Sequence, residues 1–295
     1  MTLVQLEYLL AVINFGSFST AAEHCFVTQP SLSMQIKALE EELGEVLLDR
    51  SRKPVLPTHT GEIVAELARE TLIASGRIRE AVEALRGELH GTLRIGVIPT
   101  VAPYTVPAFA AEFRARHPHV ELTVREMKGE DILGALRRDA IDGALMAAGY
   151  IPEELNEQEL FDDPFCVYVS PTNKLWGRSN IRPEEITLGE LMVMGPGHCL
   201  REQILELCQA SAAQCCSSYE CDSIDSLIRT AEATGNIAVI PRMAAAALPE
   251  ALQDRVRSLN RGRTSRKIVL VTRRLSLKSS LIGALRETIL APGTK

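Results

Sequence analysis

The chain has 295 residues, 46% of them hydrophobic and 24% charged, and a formal charge of −6, which suits two or three ordinary globular domains. No apolar run reaches the roughly 18 residues of a membrane span, and MTLVQLEYLLAVINFGSFS lacks a basic leader and cleavage site, so no membrane association is expected and the default compartment is the cytoplasm. Residues 1–90 hold eight Lys and Arg against thirteen Asp and Glu, a net of −5, so nucleic acid could be held only by locally clustered donors.

Leu3, Leu6, Leu9, Leu10 and Ile13 recur at helical spacing and predict a first helix. Ser17 suits the N-cap of a short second helix from Phe18 to about His24, and a third runs from Pro30 to Glu42 and ends at Gly44. In the third helix Leu32, Ile36, Leu39 and Leu43 form a packing stripe, while Pro30, Ser33, Met34 and Lys37 project on the other side. Ser31 and Gln35 flank the stripe and Gln29 stands at the entrance. Small hydroxyls, amides and one lysine at the start of an exposed helix suit a DNA major groove. An ordinary three-helix cap with a solvated polar face has the same pattern. The next stretch, Asp49 to Thr58, alternates basic and apolar residues between prolines, as a small wing does. Its Arg50, Arg52 and Lys53 are three of the four cationic side chains in the first sixty residues, placed to grip phosphate beside the groove.

From Thr60 to about His90 the chain reads as one proline-free helix. Val64, Leu67, Thr71, Ala74, Ile78, Val82 and Leu85 recur every three or four residues. Such a seam predicts a dimer, which a palindromic DNA site would also require; packing on the C-terminal domain is its other use. Beyond Gly91 strands and helices alternate: strands at 92–98, 120–127 and 144–147 and helices at 102–116 and 131–138 predict a parallel α/β lobe. A second lobe starts near Pro164 with a strand at 165–169, a helix after Cys199, a helix at 224–233 and a strand at 237–240. A strand at 267–272 and a helix at 279–290 return to the first lobe. The expected organisation is therefore a winged helix-turn-helix domain at 1–59, a linker helix at 60–90 and a two-lobed α/β effector domain at 91–295. Lobe I takes 91–163 and 267–295, lobe II 164–266, and the double crossover opens a cleft at the strand ends.

Seven cysteines stand at 25, 166, 199, 208, 215, 216 and 221, five of them between 199 and 221. In a reducing compartment these are inert or chemically active thiols rather than structural bridges. Cys25 and Cys166 read as buried structural thiols. No C-x₂₋₄-C pair is followed by His at zinc-site intervals, and there is no Gly-rich phosphate loop, nucleophile elbow or HExxH motif. Neither metal nor cofactor is expected. From the residues alone, Cys199 is either a reactive thiol or an ordinary one in a loop.

The order of elements, with Ala21-Ala22, Gln29-Pro30-Ser31-Leu32-Ser33 and Leu39-Glu40…Leu43-Gly44, resembles the LysR-type transcriptional regulators over the whole chain. That resemblance implies a winged helix-turn-helix, a dimerising linker helix and an effector domain similar to periplasmic binding proteins, in proteins that usually act as tetramers. Two segments, GVIPTVAPY from Gly96 to Tyr104 and GHCLREQILELC from Gly197 to Cys208, are similar to the peroxide-sensing OxyR branch. By this likeness Cys199 is the peroxidatic cysteine and Cys208 its resolving partner, while Thr100 and His198 help to hold peroxide at the sulfur. Where the branch commonly has a threonine just before the helix at Asp131, this chain has Gly129, and one assisting hydroxyl is missing. Cys215, Cys216 and Cys221 are extra thiols able to capture an oxidised Cys199. The implied partners are double-stranded DNA with an interrupted palindrome, hydrogen peroxide, RNA polymerase and a thiol reductant.

A peroxide-reactive cysteine needs a lowered pKa and access to solvent. Cys199 would open a helix whose N–H groups favour an anion, with His198 and Arg201 within reach in sequence. If 199–208 is one helix, nine residues put the sulfurs roughly 13.5 Å apart along its axis. A disulfide needs Cα atoms within about 7 Å, so bridging must melt the segment and give two discrete states. Two other functions stay open: a regulator that binds a small carboxylate metabolite in the cleft near Thr100, and a thiol peroxidase. The helix-turn-helix and wing argue against an enzyme, which has no need of them.

Overall fold

The computed structural model describes residues 1–86, 89–149, 151–211, 214–259, 265–274, 276 and 278–291. The side chains of Leu85 and Cys216, residues 87–88 of the expected linker, 260–264 of lobe II and 292–295 of lobe I lie outside the described residues.

Three helices, α1 (Leu3–Phe15), α2 (Phe18–His24) and α3 (Gln29–Leu43), pack around Leu6, Leu9, Val12, Leu32, Ile36 and Leu39. Thr2, Ser17 and Thr28 cap them, their hydroxyls accepting from the N–H groups of Gln5, Thr20 and Ser31, which satisfies donors that a helix start leaves orphaned. Gly16 ends α1 at φ 62°. A Cβ there would stand 2.6 Å from that of Pro54, so the left-handed turn and the wing packed on it both demand glycine. The wing is the hairpin β1 (Leu48–Asp49) and β2 (Leu56–Pro57).

A long helix, α4 (His59–Arg86), follows. Ala65, Ala68 and Leu72 are buried, the last two in the helix-turn-helix core. The expected seam therefore splits. Val64 turns partly inward onto that core, whereas Leu67, Ile78 and Val82 stay 56%, 70% and 46% exposed. That exposed line, continued by Thr71 and Ala74, is left uncovered among the described residues.

The effector domain begins with β3 (Gly91–Val97), α5 (Ala102–Arg116), β4 (Val120–Glu126), α6 (Gly129–Arg137), β5 (Gly143–Ala147) and β6 (Leu155–Val169). It continues through β7 (Asn180–Ile181), β8 (Leu191–Met194), α7 (Cys199–Leu207), β9 (Cys216–Cys221), α8 (Ile224–Thr234) and β10 (Ile237–Pro241). It ends with α9 (Arg242–Ala246), α10 (Glu250–Gln253), β11 (Val256–Leu259), β12 (Ser265–Arg273) and α11 (Ser279–Leu290). Lobe I has the sheet order β4-β3-β5-β12-β6 and lobe II the order β7-β11-β6-β10-β8-β9, so β6 belongs to both.

The expected arrangement, a helix-turn-helix region followed by a two-lobed α/β domain, is the one observed. One expectation is corrected: lobe I is mixed rather than parallel. β3 runs parallel to β4 and β5, but β12 is antiparallel to both β5 and β6. The reason is that β12 re-enters lobe I from lobe II against the direction of the outgoing β6. Residues 155–164, not expected as strand, form the first two-thirds of β6. Their polar run NEQE lacks apolar alternation, yet it is paired residue for residue with the apolar β12.

Candidate functional site

The lobes meet where β6 crosses over, at the register pair Asp163 and Arg266. Both side chains are fully buried, with Arg266 Nη2 2.9 Å and Nε 3.1 Å from Asp163 Oδ2. A buried charge is tolerated only when paired and fully hydrogen-bonded, and this one is: Arg266 also donates to Thr100 Oγ1 at 2.8 Å and to Thr100 O at 2.9 Å. The second carboxylate oxygen of Asp163 accepts from Met243 N–H at 3.1 Å. Thr100 is thus locked at 2% exposure, its hydroxyl and carbonyl oxygens both accepting from the Arg266 guanidinium.

Cys199 stands at the first position of α7, a lobe II helix, yet its side chain packs on the lobe I core. A Cβ built on Gly129 would lie 3.0 Å from Cys199 Sγ and 3.6 Å from Met146 Cε. Glycine at the start of α6 therefore lets the sulfur seat directly against that helix. Burial pushes the Cys199 thiol up and Glu130 and Glu202 reinforce this, against the Cys199 backbone N–H and the Arg266 charge, which favour the thiolate. The expected depression of the thiol pKa is not what the resting structure holds, because desolvation outweighs that N–H and that charge. The cation acting on the sulfur is Arg266 rather than Arg201. Arg201 Nη1 donates to Met194 O of β8 at 2.6 Å.

His198, the N-cap of α7, is 3% exposed and its Nε2 lies 2.9 Å from Asp222 Oδ1. Lys128, at the N-cap of α6, reaches the same oxygen at 3.1 Å from lobe I. Together they hold the exposed Asp222 carboxyl below its ordinary range. The result is a polar latch between the lobes, one residue from the sulfur. Cys208 is the C-cap of α7, half-buried on the lobe II core, its thiol pushed up to about 11 by burial with Cys215 beside it. Leu200, Ile204 and Leu205 anchor the inner face of α7 in that core. α7 is therefore a rod with one candidate thiol at each end.

At the other end of the molecule, Gln29, Pro30 and Lys37 are exposed on α3 and Ser31 and Ser33 half-exposed. An open groove of about 830 Å³ runs between α3 and the wing, lined by Lys37, Arg50 and Arg52 among others. The wing is braced rather than loose: Glu40 accepts from Leu47 and Leu48 N–H and from Arg50 at 2.8 Å. Arg50 also lies over the Phe18 ring at 5.1 Å, Arg52 pairs with Asp49 at 3.1 Å, and Lys53 is exposed. Phe26, 95% exposed with φ 55°, projects from the turn just before α3.

Sequence reasoning missed Arg266, Asp163, Lys128, Asp222 and Phe26. An arginine opening an apolar strand was a local signal for the first, but nothing local pairs residues 103 positions apart. α6 lies between the two ends. Its start touches Cys199, and Arg137, Arg138 and Asp139 at its end face Leu10, Phe15 and Ile73 across a cavity of about 300 Å³.

Among the described residues no helix is long and apolar enough to cross a membrane, and no group of three or more His, Cys, Asp or Glu could hold a metal ion. Residues 3–62 match the model of the bacterial regulatory helix-turn-helix protein, lysR family, and residues 86–292 that of the LysR substrate binding domain. The chain is 32% identical over 244 residues to the hydrogen peroxide-inducible genes activator of Haemophilus influenzae, covering 83% of this chain and 81% of that one. Among solved structures it is similar to a full-length OxyR variant from Pseudomonas aeruginosa, with 26% identity, TM-score 0.78, and 100% and 99% of the two chains covered. An H₂O₂-bound OxyR mutant from Corynebacterium glutamicum is also similar, with 27% identity, TM-score 0.64, and coverage of 98% and 91%. The chain belongs to the LysR family of bacterial helix-turn-helix transcription regulators, in the branch of the OxyR proteins.

Proposed function

We propose that this chain is a sequence-specific transcription regulator that hydrogen peroxide switches by oxidising Cys199 and bonding it to Cys208. The observation that carries the reading is the placement of these two thiols at opposite ends of α7, the first wedged between the lobes beside Arg266. The thiolate of Cys199 attacks one peroxide oxygen, the O–O bond breaks, and hydroxide leaves as the sulfenic acid forms. Cys208 then attacks that sulfur, and the second oxygen departs as water. Nine helical steps hold the two residues roughly 13.5 Å apart, so the bond forms only when α7 unwinds. Unwinding withdraws Cys199 from Gly129 and loosens the latch at His198, Lys128 and Asp222, which frees α6 to shift against the DNA-binding domain. Arg266 and Thr100 position charge at the sulfur; His198 orients the loop that carries it.

On this reading 1–59 is the DNA-binding domain, 60–90 the dimerising helix and 91–295 the sensing domain. Gln29, Pro30, Ser31, Ser33 and Lys37 face bases, with Arg50, Arg52 and Lys53 on phosphates. The exposed apolar line of α4 pairs two chains on an interrupted palindrome, and two dimers make a tetramer that contacts RNA polymerase in the cytoplasm. A thiol reductant resets it. The test is Cys199→Ser, which removes the nucleophile at nearly constant volume. It should keep the fold and the reduced-state DNA footprint and lose the peroxide response. A wild-type response in Cys199→Ser overturns the redox reading.

A further inference from the structure

The turn between α2 and α3 holds a residue that the packing of the domain does not account for. Phe26 N–H donates to Glu23 O at 3.2 Å and Val27 N–H to Ala22 O at 3.0 Å. These two bonds close a Schellman turn at the end of α2, in which the residue after the cap is left-handed and is usually glycine. Here that residue is Phe26, at φ 55°. A bulky side chain in that region is a steric outlier. Cys25 and Val27 on either side pack on the helix-turn-helix core, but Phe26 is 95% exposed. The position combines a strained backbone with a whole ring in water, and packing within the folded chain offsets neither.

The surroundings of Phe26 point to DNA. Thr28, Gln29 and Pro30, exposed like Phe26, lead from this turn into the start of α3, the end of a recognition helix that contacts base edges. Free positive charge is scarce at this surface. Of the four cationic side chains in the first sixty residues, Lys37 pairs with Glu41 at 3.4 Å, Arg50 with Glu40 at 2.8 Å and Arg52 with Asp49 at 3.1 Å. Phosphate contacts position a protein on DNA and carry no sequence information, and most of the cations that make them are already engaged. An apolar group at this end of α3 adds affinity without charge, and its complement in the major groove is the thymine methyl.

We propose that Phe26 is a base-reading residue whose ring packs on the methyl group of one thymine in each half-site, beside the bases faced by Gln29 and Pro30. This rests on the reading of α3 as the recognition helix. Contact removes the apolar surface of ring and methyl from water, so the left-handed backbone is offset only when DNA is bound. A glycine at this position separates the two roles: it relaxes the backbone and removes the reader.

The experiment uses the full chain, kept reduced, and a randomised duplex library from which the wild type and Phe26→Gly each select their sites. The wild type should retain a thymine at one position per half-site where Phe26→Gly retains no preference, the two consensus sequences otherwise agreeing. On the wild-type site, replacing that thymine by deoxyuridine removes only the methyl group. This should weaken the wild type roughly fivefold or more, as a single mismatched base pair does, and leave Phe26→Gly unchanged. The salt slope should be equal for both chains, since no cation is lost. Phe26→Gly should also melt at a higher temperature than the wild type, which separates weaker binding from a folding defect. Phe26→Asn, whose side chain tolerates the left-handed region, is the second variant. An unchanged consensus and affinity in Phe26→Gly, or a loss spread evenly over all sequences, overturns the proposal. So does unaltered binding with transcription lost, which assigns the ring to a protein partner. In each of these cases a consensus that shifts in Gln29→Ala leaves the α3 reading intact; a wild-type chain that selects no consensus overturns both.

Discussion

Ile204→Ala distinguishes a melting α7 from a rigid one. Ile204 is 2% exposed on the inner face of α7, in the lobe II core with Leu200 and Leu205. Truncating such a residue costs about 2–5 kcal/mol of the state in which it is buried. If α7 leaves the core on oxidation, the reduced state alone carries that cost. The disulfide state is then favoured by the same amount, and the Cys199–Cys208 midpoint potential falls by about 40–110 mV, since roughly 30 mV corresponds to 1.4 kcal/mol for two electrons. The assay is equilibration in dithiothreitol redox buffers, acid quench and counting of alkylated Cys199, with Cys215→Ser keeping a single bridge. Ile228→Ala, 3% exposed in α8 and in the same core, is the control. It destabilises lobe II in both redox states and should leave the potential where it was. An Ile204→Ala potential equal to that of the parent, or moved no further than that of Ile228→Ala, refutes the unwinding of α7.

Arg266→Met leaves the fully buried Asp163 carboxylate uncompensated and should destabilise the chain by about 3–5 kcal/mol, read by urea unfolding, with Asp163→Asn recovering much of the loss. It also removes the cation facing Cys199, so oxidation measured by stopped flow should slow. Because burial holds the Cys199 thiol above its ordinary value, raising the pH favours the scarce thiolate. The oxidation rate should climb about tenfold per pH unit from 6 to 8 without a plateau; a plateau near neutrality would show a depressed thiol instead. Leu67→Asp with Ile78→Asp puts charge on the exposed line of α4 and should yield monomers in analytical ultracentrifugation at micromolar concentration, and persistent dimers would move the interface elsewhere. Arg50→Ala should weaken binding to all DNA sequences alike and flatten the salt slope by about one unit, whereas Ser33→Ala should change base preference.

Local signals made much of this molecule legible. The caps Ser17 and Gly44, the stripe Leu32, Ile36 and Leu39, and the span of α11 follow from periodicity and turn chemistry, which act over a few residues. The same is true of α7 opening at Cys199. What stayed hidden depends on partners distant in sequence. Asn156 to Glu159 form strand because β12 returns beside them, and a polar run carries no mark of that. Two apolar faces of α4, one on the helix-turn-helix core and one open, fall within a single 3.6-residue repeat and cannot be separated without the first face's partner. The Cys199 thiol is raised rather than lowered because it packs against Gly129 and the lobe I core, and the cation opposing that burial sits on β12. Lys128, Asp222 and His198 were hidden in the same way: they follow β4, β9 and β8, three segments distant in sequence that meet only across the lobes.

Disulfide mapping of the full chain within seconds of a one-equivalent hydrogen peroxide pulse tests most directly whether the switch is a Cys199–Cys208 bond. The predicted result is one dominant cross-link joining the Cys199 and Cys208 peptides, absent from Cys199→Ser, formed together with the change in DNA footprint. Recovery of Cys199 as an unmodified thiol while the footprint changes would contradict it.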